Sequence, residues 1–176
     1  RQAQSGEDMT VAYIGGSITR GETAGAEGCY AKLSYNYIAE KYGTCDNVKY
    51  VNAGVSGTPS VLGNLRLQKD VLDYNADIVF VEFAVNDAQD NTHKESYESL
   101  VRTVLTQEND PAVVLIFNRT ANGYTAQEYM KEIGDYYSLP MISVADALTP
   151  EFDEGRMTWE DYSDDQSHPN AEGHKL

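Results

Sequence analysis

Short apolar runs alternate with stretches of helical hydrophobic spacing along the whole chain. The apolar runs are rich in β-branched and aromatic residues, which predicts strands over residues 10–14, 48–52, 77–83, 112–117 and 141–144. Between them, apolar positions recur at intervals of three and four residues, which predicts helices over residues 30–42, 61–74, 96–107 and 125–137, and a final helix from 169–170 onward. Thr125 and Glu128, three residues apart, match a capping box at the start of the fourth of these helices.

The third predicted strand indicates what kind of sheet to expect. Residues 77–83 are almost continuously apolar, a pattern typical of parallel strands that are buried on both faces. Alternation of strands and helices at this spacing favours a parallel sheet with helices on both sides. We therefore predict one doubly wound domain over residues 1–176, of class α/β, with a flavodoxin-like five-stranded parallel sheet between two helical layers. Ligands of such folds bind beyond the carboxyl ends of the strands.

Net charge narrows the range of partners. Asp and Glu outnumber Lys and Arg by 28 to 13, which gives a formal charge of −15. Such a charge repels phosphate backbones and anionic lipid headgroups, so nucleic acid and membrane surfaces are poor candidates and neutral ligands fit best. No apolar run approaches the roughly 18 to 20 residues that span a bilayer. Compartment and oligomeric state stay open, with a secreted or cell-surface location favoured.

The two cysteines, Cys29 and Cys45, do not form a CxxC pattern. A zinc site needs about four ligands, and the three scattered histidines do not complete one, so no metal site is expected. The pair is compatible with a disulfide, although two buried thiols are the simpler interpretation, because spacing alone does not decide between them.

A glycine-rich turn directly follows the first predicted strand and carries a serine. It reads Gly15-Gly16-Ser17-Ile18-Thr19; the glycines allow a sharp turn, and Ser17 can project its hydroxyl into the cleft. The turn contains neither of the phosphate-binding patterns GxGxxG and GxxxxGK, and Thr19 occupies the place of the second glycine of GxSxG. Ser17 is therefore a candidate nucleophile, with an ordinary glycine-rich turn as the alternative.

Asp165 and His168 lie three residues apart in a short loop that ends at Pro169. At this spacing the carboxylate can accept a hydrogen bond from one ring nitrogen and leave the other free to take a proton from a serine. Pro169 suits the first turn of the helix that is predicted to follow. The pair is a candidate base with its orienting acid, and a surface Asp–His pair at a helix start is the alternative.

Two further loops follow the second and third predicted strands and carry hydrogen-bond donors. One reads Asn-Ala-Gly-Val-Ser-Gly over residues 52–57, and the other reads Val-Asn-Asp over residues 85–87. An acyl-transfer site needs donors aimed at the developing oxyanion, and the Gly57 main-chain amide and the Asn86 side-chain amide are groups of that type. Each loop alone is a common turn, but their joint occurrence after successive strands is not.

These four blocks together resemble the SGNH hydrolases, the GDSL-like esterases. The blocks stand in the family's order and span almost the whole chain: Gly-Gly-Ser-Ile-Thr, Asn-Ala-Gly-Val-Ser-Gly, Val-Asn-Asp and Asp-x-x-His-Pro. The resemblance implies Ser17 as nucleophile, His168 as base and Asp165 as the residue that orients the base. It also implies an oxyanion hole formed by the main-chain amides of Ser17 and Gly57 and by the side chain of Asn86.

Two positions depart from the family pattern. Gly16 replaces the Asp of the GDS motif, and Ala84 replaces the Gly that usually precedes the Asn of the third block by two places. Both positions shape the cleft, and neither change removes a catalytic group. The longer string made of Arg66, Leu67 and residues 81–87 resembles bacterial branches that are often linked to polysaccharide deacetylation.

Several other side chains are candidate neighbours of the cleft. Arg66 follows the Gly57 turn and Arg119 follows the fourth strand, so either is a candidate substrate contact, with a surface ion pair as the alternative. Trp159 precedes Asp165 and is a candidate apolar wall for a sugar face, with core packing as the alternative. Glu82 lies inside an apolar strand, where an unpaired carboxylate is costly, so we predict that it pairs with Arg66 or Arg119.

The expected reaction is hydrolysis of a short carboxylic ester through a serine acyl-enzyme. The expected substrate is an O-acetyl group on a neutral polysaccharide, and no cofactor is required. A lipase, lysophospholipase or acyl-thioesterase is the alternative among enzymes. A carbohydrate-binding domain without activity and a flavodoxin-like nucleotide binder are the alternatives outside them. The family resemblance further implies a final helix that runs on past Leu176.

Overall fold

The computed structural model describes residues 2–44 and 46–176. Among these residues, the centre of the molecule is a five-stranded sheet in which every neighbouring pair of strands is parallel. Its strands are β1 (Met9–Gly15), β2 (Val48–Gly54), β3 (Ile78–Glu82), β4 (Ala112–Phe117) and β5 (Met141–Ser143), in the spatial order β2-β1-β3-β4-β5. The predicted flavodoxin-like α/β fold is confirmed.

Helices follow most of the strands, as the alternating pattern predicts. Within the described residues they are α1 (Ser17–Arg20), α2 (Tyr30–Tyr42), α3 (Ser60–Asp70), α4 (Asn91–Leu105), α5 (Gln127–Tyr136), α6 (Val144–Asp153) and α7 (Trp159–Tyr162). Short 3-10 turns cover Ala3–Ser5, Leu72–Tyr74 and Gly173–Lys175. Of the predicted helices, α2 has the expected bounds.

The side chains of β1 show how the sheet is covered on both faces. Ala12 and Ile14 are fully buried in the core shared with α3, α4 and α5. Val11 and Tyr13 point to the other face, where they belong to the core shared with α2. The Tyr13 ring stacks on Phe80 with 4.8 Å between centroids. Because strand side chains alternate in direction, β1 contributes to both cores and is covered on both faces.

The start of α4 differs from its prediction. The helix begins at Asn91 and not at Ser96, because Asp90 caps it: the Asp90 side chain accepts a hydrogen bond of 2.9 Å from the main-chain N–H of His93. An N-cap of this kind satisfies one of the free amides of the first turn. The first turn of α4 is polar on all sides, so hydrophobic spacing alone missed it.

The capping box predicted at Thr125 and Glu128 is not formed. The helix α5 begins at Gln127, and its N-cap Ala126 makes no side-chain capping bond. The Thr125 hydroxyl accepts a hydrogen bond of 3.3 Å from the main-chain N–H of Gln127, so this residue closes a local turn just ahead of the helix.

The helix α6 lies in a segment where the hydrophobic pattern predicted no helix. The hydroxyl of Ser143 accepts a hydrogen bond of 3.0 Å from the main-chain N–H of Asp146, which caps the helix start. Pro150 lies inside the helix, and a proline in a helix interior normally argues against a helix. The cap is a signal that could have been found in the sequence.

The final helix predicted from Pro169 is wrong. Pro169 pairs with Ser163 in a single antiparallel bridge, and the only regular turn that follows within the described chain is the 3-10 turn at Gly173–Lys175. The Asn170 side chain accepts hydrogen bonds from the main-chain N–H groups of Glu172 and Gly173, at 3.1 and 2.9 Å. This side-chain turn competes with helix formation, as asparagine commonly does.

The structure describes one of the two cysteines. Cys29 is buried, but Cys45 lies outside the described residues, so neither the disulfide nor the pair of buried thiols is tested. In the ranges 2–44 and 46–176, no helix is long and apolar enough to cross a bilayer.

Candidate active site

The carboxyl ends of three neighbouring strands, β2, β1 and β3, lie side by side. In the sheet register, Gly15 of β1 is opposite Gly54 of β2 and Glu82 of β3. The loops that leave these strands therefore start at the same level. These loops carry Ser17, Gly57 and Asn86 respectively, so the three residues follow neighbouring strands at one edge of the sheet.

Ser17 is the first residue of α1, immediately beyond the end of β1. The turn between them has no room for a side chain at Gly15, because a Cβ there would lie 2.1 Å from the Thr19 hydroxyl oxygen and 2.5 Å from the Glu82 carbonyl oxygen. Only glycine lets the chain turn this tightly against β3. The Ser17 side chain is held at the helix start and is 8% exposed.

Ser17, His168 and Asp165 form a continuous chain of hydrogen bonds. The Ser17 Oγ lies 2.8 Å from His168 Nε2, and His168 Nδ1 lies 2.7 Å from Asp165 Oδ2. With its proton on Nδ1, the imidazole donates to the carboxylate and accepts from the serine hydroxyl. The structure thus brings together residues that are 151 positions apart in the chain.

The carboxylate of Asp165 is fixed by the main chain of its own loop. Its Oδ1 accepts hydrogen bonds of 2.7 Å each from the N–H groups of Ser167 and His168. Partial burial raises the pKa of Asp165, but the hydrogen bonds from His168 and Ser167 outweigh it, and the pKa lies below the usual value. Asp165 is therefore ionised at neutral pH and holds the imidazole in one orientation.

The loop that carries Asp165 and His168 is tied to the body of the domain by two side chains. The hydroxyl of Ser163, which is 1% exposed, lies 2.6 Å from the His168 carbonyl oxygen and 3.1 Å from that of Asp165. The indole N–H of Trp159 donates to the Asp165 carbonyl oxygen at 2.6 Å. Sequence reasoning missed Ser163, and for Trp159 it considered an apolar wall for a sugar face or core packing. The indole N–H is instead turned to the loop.

Asn86 lies against the turn that carries the serine. A Cβ at Gly16 would lie 2.2 Å from Asn86 Oδ1 and 3.0 Å from Nδ2. The Asn86 side chain therefore occupies the space that an Asp at position 16 would need, which explains why Gly16 suits this chain. Within the described residues Oδ1 has no hydrogen-bond partner. Gly57 adopts the left-handed region at φ +72°, and no heavy atom would lie within 4 Å of a Cβ there.

Asp87, next to Asn86, has a structural role that sequence reasoning missed. Its Oδ1 accepts a hydrogen bond of 2.7 Å from the main-chain N–H of Ser60, at the start of α3, and its Oδ2 accepts one of 3.2 Å from the Tyr129 hydroxyl. Burial raises the pKa of Asp87, and the bonds from Ser60 oppose this. An anion at a helix N-terminus is stabilising, so Asp87 ties the Asn86 loop to α3.

The two arginines considered as substrate contacts are directed elsewhere. The Arg66 guanidinium donates to the main-chain carbonyl oxygens of Ala53 and Gly15, at 2.5 and 2.9 Å. Arg119 donates to the Thr149 hydroxyl at 2.6 Å. Both side chains thus bind protein groups.

The predicted pairing of Glu82 with an arginine is wrong. Glu82 is fully buried, and its carboxylate meets the Thr19 hydroxyl at 3.4 Å, with neither arginine as a partner among the described residues. Burial raises its pKa to about 7, although hydrogen bonds from Asn118 and Thr19 lower it in part. The geometry leaves Oε1 without a well-formed hydrogen bond. A buried carboxyl with incomplete partners is more stable when protonated.

Most of the chain matches the sequence model of a known family. The model of the GDSL-like lipase and acylhydrolase family matches residues 13–176. The chain belongs to this family. The resemblance expected from the four sequence blocks is thereby confirmed, as is its fold. No curated protein sequence matches this GDSL-like chain at a significant level.

Solved structures include relatives of this chain. A two-domain esterase active on acetylated mannans is 37% identical, with a TM-score of 0.94, and the match covers 99% of this chain and 47% of that one. The same esterase co-crystallised with mannopentaose gives a TM-score of 0.95. This GDSL-like chain thus spans about half the length of that esterase. An acetylxylan esterase from Geobacillus stearothermophilus, 19% identical over 98% of this chain and 91% of its own, has a TM-score of 0.73 and shows the shared fold.

Proposed function

We propose that this chain is a serine esterase that removes acetyl groups from a neutral polysaccharide. The hydrogen-bond chain from the Ser17 hydroxyl through His168 to Asp165 carries the proposal, because it is the arrangement that activates a serine as a nucleophile. Membership of the GDSL-like family supports an ester hydrolase. The relative active on acetylated mannans supports a carbohydrate acetyl ester as the substrate class.

The first half of the reaction forms an acyl-enzyme. Ser17 Oγ attacks the ester carbonyl while His168 Nε2 takes the hydroxyl proton. Negative charge develops on the carbonyl oxygen, and the amides of Ser17 and Gly57 and the Asn86 side chain donate to it. His168 then gives its proton to the leaving sugar oxygen, and the carbon–oxygen bond of the ester breaks. Asp165 stabilises the imidazolium that exists between the two proton transfers.

The second half releases the acid and restores the enzyme. Water gives a proton to His168 Nε2 as its oxygen attacks the acyl carbonyl, and the same donors hold the second oxyanion. The bond to Ser17 Oγ breaks, and the proton on His168 returns to that oxygen. These steps use the side chains and main-chain amides named here, the ester and water.

Release of acetate from defined polysaccharides tests the proposed substrate class. We expect the protein to release acetate from acetylated mannan, with acetylated xylan and acetylated chitooligosaccharides as comparison substrates. Acetate should accumulate in proportion to enzyme and time, and a Ser17→Ala sample serves as the matched blank. Saturable binding to the glycans with no acetate release and no turnover of an activated aryl acetate would favour the carbohydrate-binding alternative.

Acyl length separates the esterase from the lipase alternative. The segments that the sequence predicted around the cleft (residues 20–28, 88–92, 118–124 and 150–167) are mostly polar. Within their described residues, only Tyr124 is a large hydrophobic side chain with substantial exposure, at 37%. A lipase trough would stabilise each additional methylene by about 0.8 kcal/mol, which is roughly a fourfold gain per carbon.

Because these segments expose few large apolar side chains, we expect kcat/KM on 4-nitrophenyl esters to be highest for acetate and to fall by about the four- to six-carbon acyl chains. The measurement is a series of 4-nitrophenyl esters of increasing chain length at fixed pH. Faster cleavage of octanoate than of acetate contradicts the deacetylase proposal and supports the lipase.

A further inference from the structure

The guanidinium of Arg66 joins the ends of the two strands that lead to the proposed oxyanion hole. We propose that Arg66 is a positioning residue that holds the Ser17 turn and the Gly57 loop at the spacing that oxyanion binding requires. This inference rests on the proposed function. It replaces the substrate contact that the sequence suggested for this arginine.

The contacts of Arg66 reach two adjacent strands at once. Its Nη2 donates to the Gly15 carbonyl oxygen at 2.9 Å, and its Nη1 donates to the Ala53 carbonyl oxygen at 2.5 Å. Gly15 is the last residue of β1, and Ala53 is next to last in β2. The Gly15 carbonyl also accepts a bond of 3.1 Å from the main-chain N–H of Val55. One side chain thus fixes the exits of both strands.

Each of these two carbonyl groups precedes a proposed oxyanion donor by a few residues along the chain. The chain runs from Gly15 through one residue to the Ser17 amide, and from Ala53 through the short loop to the Gly57 amide. Gly57 itself is exposed, and its neighbours Ser56 and Thr58 make hydrogen bonds within and beside the loop. The spacing between the two amides depends on these contacts and on how firmly the loop is anchored at its start.

The guanidinium is itself held in place. Arg66 Nη1 lies 3.3 Å from Asp70 Oδ2, one helical turn on in α3, and the Arg66 side chain is 16% exposed. Burial lowers the pKa of Arg66, and Asp70 opposes this. A guanidinium presents several donors in a rigid plane, whereas a lysine ammonium is a single point. Arginine can therefore bridge two carbonyl groups in a way that lysine reproduces only in part.

Rigid anchoring matters here because oxyanion stabilisation depends on donors that are in place before the charge develops. A displacement of about 1 Å at a reacting centre can lower the rate about 100-fold. Such a loss affects the transition state more than the bound ester, so it appears in kcat and leaves KM largely unchanged.

The test compares Arg66→Met and Arg66→Lys with Arg102→Met, which removes an exposed arginine from α4. Steady-state kcat and KM for 4-nitrophenyl acetate are measured well below the unfolding temperature of each variant, with circular dichroism to establish folding. We expect Arg66→Met to lower kcat by about 10- to 100-fold with KM within about twofold. Arg66→Lys should recover part of the loss, and Arg102→Met should match the wild type.

Three outcomes overturn the inference. A folded Arg66→Met variant with wild-type kcat shows that the anchoring is only structural. A raised KM with unchanged kcat shows that Arg66 contacts the substrate. If Arg66→Met does not fold, the Arg66→Lys variant decides the question. A folded Arg66→Lys variant with wild-type kcat counts against the two-carbonyl bridge. Absence of esterase activity in the wild-type protein contradicts the proposed function itself, which keeps the two failures apart.

Discussion

Ser17→Ala is expected to lower ester turnover by a factor on the order of 10⁴ to 10⁶ while leaving the fold intact. The substitution removes the hydroxyl that His168 contacts at 2.8 Å and leaves no other group at that place to attack the ester. Steady-state hydrolysis of 4-nitrophenyl acetate measures the loss. A matched control is Ser99→Ala, which removes an exposed hydroxyl from α4 and should keep wild-type activity.

The members of a triad act as a unit, so the double variant Ser17→Ala/His168→Ala should be scarcely slower than either single variant. If Ser17→Ala retains near-normal turnover in a preparation free of other esterases, the proposed mechanism is wrong. Independent, multiplicative losses in the double variant would likewise contradict a shared role for the two residues.

Asn86→Ala is expected to lower kcat by about 100- to 1000-fold with little change in KM, the effect typical of removing one oxyanion donor. The Asn86 side chain lies against the serine turn, in the space left free by Gly16. Its Oδ1 is buried against that turn. The Nδ2 group carries the hydrogens that can be donated to an oxyanion. Steady-state kinetics with 4-nitrophenyl acetate measures both parameters.

Asn91→Ala is the matched control for this donor, because it removes an exposed carboxamide near the same loop. It should keep kcat and KM within about twofold of the wild-type values, since surface substitutions rarely perturb a fold. If Asn86→Ala raises KM and spares kcat, its amide binds the ground-state ester, and the assignment to the oxyanion hole fails.

The positions of the strands could be predicted because they depend on local patterns. The run that became β3 is apolar almost throughout, and β4 has the predicted bounds, 112–117. A strand buried on both faces must be apolar in nearly every position, so its sequence carries the information by itself. Helix ends were less predictable. The Asp90 and Ser143 caps are polar contacts that hydrophobic spacing does not register.

In the candidate site, the residue types could be predicted from the sequence, but their contacts could not. Ser17, Gly57, Asn86, Asp165 and His168 were recognisable as types because each stands in a short block that resembles the family pattern, and the order of the blocks along the chain needs no coordinates. Whether these groups meet is a different question. Ser17 and His168 are 151 positions apart, and only the register of parallel strands and the return of the last loop bring them within hydrogen-bond distance.

Residue types and their spacing thus determined the fold class, the family resemblance and the candidate groups, because hydrophobic period and turn chemistry act over a few residues. Tertiary structure alone decided the roles of the charged side chains. Arg66 was expected to face the substrate or to pair with Glu82, yet it bridges the main chain of two strands. Glu82 is buried without an arginine. The partner of a long charged side chain is chosen by what lies within its reach in space, and no local pattern records that.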